Sequence, residues 1–196
     1  MPGESSVDAG SRAFNLTSCK EFEQGARFDP HDVIDSLWRI FYFWAKGMEI
    51  SAILFSLPSD KKIQDFKEIA GTVNPELEVN WNKSALVMEP RPGVQVLLTS
   101  CGHDEAFRAL VKKEQQHGEQ PLQKPHIYIT EVRMKTVNRY LGIINCGDGT
   151  AFALARVEEI PTTDEECMIA ATHLGLKVLS GKSYLIMKNL YAGDEL

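Results

Sequence analysis

The chain has 196 residues, enough for one sizeable domain or two small ones. A hydrophobic fraction of 43% with 24% charged residues excludes wholesale disorder, and no apolar run reaches the ~18 residues of a membrane span. A formal net charge of −6 argues against a protein dedicated to phosphate binding, although it is compatible with a local basic face.

Residues 1–27 are rich in Gly, Ser, Glu and Asp and read as a flexible N-terminal tail, with Phe14 and Leu16 as a short docking motif. The ordered domain is expected over 28–196. It opens on a predicted helix from Pro30 to about Gly47, capped by Asp29. Val33, Ile34, Leu37, Trp38, Phe41 and Trp44 would make its apolar face, which Ile40 and Phe43 widen beyond a normal stripe. A buried strand over 49–57 follows. Next comes an amphipathic helix, with Ser59 as cap, Gly71 as stop and Ile63, Phe66 and Ile69 inward.

Short strands are expected at 76–81 and 84–89, flanking Asn82-Lys83, and at 93–100. A helix over 102–116 would then bury Ala106, Phe107, Leu110 and Val111, and 118–125 would be a loop. The rest is hairpin-rich: strands at 126–134, 140–145 and 150–157, the last two joined at Asp148-Gly149. In the last of these, Phe152, Leu154 and Arg156 alternate with three alanines. Thr163 and Glu166 form a capping box for a helix ended by Gly175, and "LKVL" and "YLIM" make a closing hairpin. The fold class is therefore α+β: a mostly antiparallel sheet, mixed in our preferred form, with about four helices in a single domain.

The four cysteines, Cys19, Cys101, Cys146 and Cys167, follow no framework spacing, and no N-terminal segment combines basic residues with an apolar run. The expectation is free thiols and a cytoplasmic location. On that reading the sequon Asn15-Leu16-Thr17 is never modified, and the ending Gly193-Asp194-Glu195-Leu196, which resembles an ER-retention signal, is never read.

The densest chemistry is "LLTSCGHDEAF". A thiol at a helix start has its thiolate favoured by the first-turn amides, which makes Cys101 a candidate nucleophile and His103 a candidate base. Two residues apart on a helix, however, the pair would not face each other, and Asp104 and Glu105 oppose a thiolate. An ordinary helix start explains the stretch with less. Cys101, His103, His117, His126 and Cys146 lack the paired spacing of a metal site, so neither a metal nor a cofactor is expected. "GLKVLSGKS" has the wrong glycine spacing for a phosphate loop.

Two features point to partners. Between residues 108 and 139, Arg108, Lys112, Lys113, Lys124, Arg133, Lys135 and Arg139 face only three acidic residues, so this segment is net positive while the remainder is net negative. It is the candidate nucleic-acid surface, with Tyr128 and Tyr140 available for stacking. On the first helix Trp38 and Phe41 read as core, whereas Phe43 and Trp44 lie on the over-wide side and are candidate interface anchors.

Two fragments, "HDVIDSLWRIFYFWAKGMEISAILFSL" and "EECMIAATHLGLKVLSGKSYLIMKN", resemble rhabdovirus matrix proteins and cover about a quarter of the chain. The resemblance implies self-association and contact with nucleocapsid and membrane. The chain lacks a proline-rich late-domain signature and a strongly basic N-terminal tail, and the family is not assigned. The leading expectation is a non-enzymatic protein that binds a protein partner or self-assembles as a homo-oligomer. Its alternatives are a nucleic-acid-associated protein, a matrix-like viral protein and a thiol enzyme at Cys101.

Overall fold

A computed structural model describes residues 17–45, 52–113, 126–177 and 180–186, apart from the side chain of His126. In chain order the elements are α1 (Cys19–Phe22), β1 (Leu37–Trp44), β2 (Ala52–Ser56), α2 (Asp60–Val73), β3 (Ser84–Arg91), β4 (Val94–Ser100), β5 (Ala106–Lys113), β6 (His126–Val137), β7 (Tyr140–Asn145), β8 (Ala151–Arg156), α3 (Asp164–His173) and β9 (Lys182–Ser183). Short 3-10 turns occupy Pro30–Asp32, Trp81–Lys83 and Val157–Glu159. Each strand from β1 to β8 pairs antiparallel with the next, and β1 pairs with both β2 and β8, so the meander closes into an eight-stranded barrel. β9 adds a short flap on β1. The expected α+β character and mostly antiparallel pairing hold, but the preferred mixed sheet does not, because every pairing among the described strands is antiparallel; closure removes the exposed edges of an open sheet.

Three sets of buried side chains account for the packing. Inside the barrel lie residues such as Leu86, Val96, Leu98, Met134, Leu141 and Leu154. Outside, α2 sets Phe66 and Ala70 on Val87, Leu97, Leu110 and Ile127 of β3 to β6. On the far side α3 sets Cys167, Ala170 and Ala171 on Ala151, Ala153 and Ala155 of β8. Those three alanines share this outer cluster with Phe41, Tyr42 and Trp44 of β1. The Thr163–Glu166 capping box forms as expected, and α2 is capped by Ser59 but runs past Gly71 to Val73.

The predicted helix over 30–47 is instead a one-turn 3-10 helix followed by β1. Its inner residues face the barrel core and its outer ones face α3, so nearly every side chain is buried and the alternation of a strand is lost. A bulge between Ile40 and Tyr42 then spaces the inward residues 38, 40 and 43, which imitates helical periodicity. The predicted helix over 102–116 is strand β5 for the same reason: Phe107, Ala109 and Val111 point inward, and Leu110 lies under α2. No strand forms at 76–81, and the second arm of the last predicted hairpin is helical over 184–186, after β9, while residues 178–179 of its first arm and residue 187 lie outside the described residues.

The packed chain also begins earlier than residue 28. Phe22 of α1 is fully buried against β7, where a Cβ at Gly142 would lie 3.0 Å from its ring. Cys19 forms a disulfide with Cys146, 127 residues away, which corrects the expectation of four free thiols. Below α1, the carbonyl of Arg27 accepts from the backbone N–H and the hydroxyl of Thr136. The N-terminal segment thus runs down the outer wall before the chain enters the barrel floor. Residues 1–16 lie outside the described residues.

That floor is aromatic. Phe28 meets Phe107 edge-on at 5.5 Å, and Trp38 meets Phe55 at 6.4 Å. The Trp38 indole donates to the carbonyl of Val33 at 2.8 Å. Arg156 stacks on the Trp38 ring at 4.8 Å and donates to the carbonyl of Asp32 at 3.0 Å. One end of the barrel is thereby plugged.

Gly142→Ala is expected to cost about 1–3 kcal/mol of unfolding free energy, the usual range for overpacking. Chemical denaturation of Gly142→Ala, Phe22→Leu and the double variant checks this. The double variant should lose less than the sum of the two single losses, because Phe22 is what the new methyl strikes.

Candidate functional site

The plug fills one end of the barrel, and the side chains above it are smaller. A cavity of ≈330 Å³ remains, lined by Ile40, Val96, Leu98, Met134, Ile143 and Leu154 among others. Inward Ala109 takes little of the space that its neighbours Phe107 and Val111 would fill. Among the described residues, Tyr128 and Phe152 are the only aromatic ones in the lining. A broader hollow of ≈810 Å³ lies on the outer wall, lined in part by Glu76, Glu78, Arg108 and Glu131, but it is open to solvent.

The cavity has one polar region, at the end away from the plug, where β3–β4 and β7–β8 turn. Arg91, Tyr128, Thr130, Asn145, Asp148 and Thr150 stand there. Thr130 Oγ1 donates to Asn145 Oδ1 at 2.6 Å, and the same oxygen accepts from the N–H of Gly147 at 2.8 Å. The Asn145 oxygen is thus committed, while its amide nitrogen has no partner among the described residues. Asp148 Oδ1 accepts from the backbone N–H and the hydroxyl of Thr150 at 2.9 and 2.7 Å, fixing the β7–β8 turn. Gly149, at φ 73°, supplies the left-handed residue of that turn. Cys146 opens it, so the disulfide anchors the turn to α1.

The residues singled out from sequence lie elsewhere. Cys101 is exposed on the β4–β5 turn, with its thiol 3.9 Å from the carbonyl of Thr99. Exposed His103 lies on the same turn, at the plugged end. No helix begins there. Among the described residues no group of three or more His, Cys, Asp or Glu could hold a metal ion, and Cys146 is bonded to Cys19.

The basic segment does not converge on one face. Arg108 donates to the carbonyl of Glu78 at 2.7 Å, and Lys112 lies over Phe66 of α2. Lys113 reaches over Tyr128 at the mouth, and Arg139 stacks on Tyr140 at the plugged end. Arg133 pairs with Glu23. Lys135, 6% exposed, donates to the Phe22 carbonyl and covers the Phe22 ring, and burial lowers its pKa. Lys124 lies outside the described residues.

The proposed interface anchors are core residues. Phe43 packs in the barrel, and Trp44 is buried on the outer side, its indole donating to the carbonyl of Lys177 at 2.7 Å.

The chain matches no protein-family model, no curated protein and no solved structure. Of the two fragments that resemble matrix proteins, the first has strand β1 where a helix is expected, whereas the helix of the second forms as α3.

Cys167, on the buried side of α3, has its thiol pushed up to about 12, by burial first and then by the charges of Asp164 and Glu166. Burial likewise raises Tyr42 and Tyr184. Native protein at neutral pH should therefore alkylate at Cys101 and spare Cys167 until it unfolds, as read by peptide mapping. In the unfolded chain the Cys167 thiol ionises from about pH 8.5, while in the folded chain it stays protonated. Stability should fall as pH rises from about 9 toward 12, and Cys167→Ala should flatten part of that slope.

Proposed function

We propose that this protein is a non-enzymatic binding protein that holds one small, mainly apolar molecule inside its barrel. The mainly apolar cavity inside the barrel, with polar residues at its mouth, carries the reading. Eight strands make a barrel just wide enough for one small ligand, and 330 Å³ sits at the lower edge of small-molecule pockets. The apolar walls would take the body of the ligand. Arg91, Tyr128 and Asn145 bring hydrogen-bond donors to the mouth, which suit a ligand whose polar end accepts hydrogen bonds. No acid, base and nucleophile meet in the cavity among the described residues, which favours holding over chemistry.

The disulfide adds a compartment to this reading. A bridge that fastens the N-terminal segment to the mouth belongs to an oxidising environment, so we place the protein in a secretory or extracellular setting rather than the cytoplasm.

A titration with an apolar fluorophore that brightens out of water tests the reading. Saturable binding at one site per chain is expected. Ala109→Phe, which fills the cavity, should weaken it at least about tenfold, while Glu131→Gln in the outer hollow leaves it unchanged. Equal binding by wild type and Ala109→Phe contradicts a site inside the barrel.

A further inference from the structure

We infer that Asn82 is an N-glycosylation site, at the plugged end of the barrel. Asn82-Lys83-Ser84 has the acceptor pattern, with a middle residue other than proline. The 3-10 turn Trp81–Lys83 displays it. Trp81 packs inward with the α2 cluster, Asn82 and Lys83 are exposed, and the chain then enters β3. The Asn82 side chain makes no hydrogen bond or ion pair among the described residues, so a bulky group on its amide displaces no contact. The Cys19–Cys146 disulfide supplies the second, independent observation, because the oxidising compartments where such bridges form are those where this sequence pattern is read. The inference rests on the turn and the disulfide, not on what fills the barrel.

The transfer joins Asn82 Nδ2 to the anomeric carbon of a lipid-pyrophosphate-linked oligosaccharide. The bond from that carbon to the pyrophosphate oxygen breaks, the lipid pyrophosphate leaves, and the amide loses one proton to a base. In the folded turn the Ser84 hydroxyl donates to the carbonyl of Trp81 at 2.7 Å, so recognition of the hydroxyl belongs to the nascent chain, before the turn closes. The position also suits the barrel. β3 begins beside Asn82 at the plugged end, so a glycan there projects away from the mouth. Asn15-Leu16-Thr17 is a second acceptor pattern in the sequence and serves as an internal reference.

The test is secretion of the full chain from cultured eukaryotic cells, followed by mass spectrometry of the peptide ending at Lys83 and by electrophoresis with and without an N-glycosidase. A glycan on Asn82 is expected, with one step of mobility lost in Asn82→Gln and in Ser84→Ala but kept in Ser84→Thr. A step that remains in Asn82→Gln is assigned to Asn15 and must be absent from the Lys83 peptide. Secreted, disulfide-bonded protein with unmodified Asn82 overturns the inference, as does a Ser84→Ala chain that keeps its Asn82 glycan.

Discussion

The position of bulk inside the closed sheet decides what this barrel can do. Phe28, Trp38, Phe55 and Phe107 are gathered at one end, held by the Trp38 indole on Val33 and by Arg156 across the Trp38 face. Above them the inward positions are mostly aliphatic, with Ala109 among them, and their volumes do not fill an eight-stranded interior. The plug and the cavity are therefore one fact. A barrel filled evenly would have no site, and one without the plug would be open at both ends.

The N-terminal segment ties the two ends together. From the disulfide beside the mouth turn it descends past the Phe22–Gly142 contact, Lys135 and Thr136, and becomes the Phe28 side of the plug. Lys135 is costly to bury, and its shift has the opposite consequence to that of Cys167: its lowered pKa makes the fold gain stability as pH rises toward the ordinary lysine value. What offsets the burial at neutral pH is the carbonyl and ring of Phe22, which exist only while the segment stays docked. The bridge spans 127 residues, and loops of that length are where a crosslink restricts the unfolded chain most.

Much of the second half was legible in the sequence. The strand at 140–145 matches β7, the hairpin at Asp148-Gly149 forms, and the Thr163–Glu166 box starts α3 where expected. There each strand has turn residues at its ends, and β8 alternates small outward alanines with large inward residues. β1 and β5 were illegible for one physical reason: helices clad the barrel outside while side chains fill it inside, so both faces are apolar and period two disappears. The disulfide had no spacing signal, because its partners meet only after the N-terminal segment folds along the wall. The cavity left no trace, because two of the strands that close the barrel, β1 and β5, read as helices. Cys101 and Arg139 stand in clusters along the chain, whereas the residues that line the barrel interior are scattered over its strands.

Whether the empty volume lies inside the barrel can be read with methyl-resolved NMR under xenon pressure, since xenon enters dry apolar cavities. The expected result is saturable shifts at Ile40, Val96, Leu98, Met134, Ile143 and Leu154, with Val87, Leu97 and Leu110 on the outer wall unmoved. Shifts confined to the outer set, or equal in both, would contradict a plugged barrel with its site within.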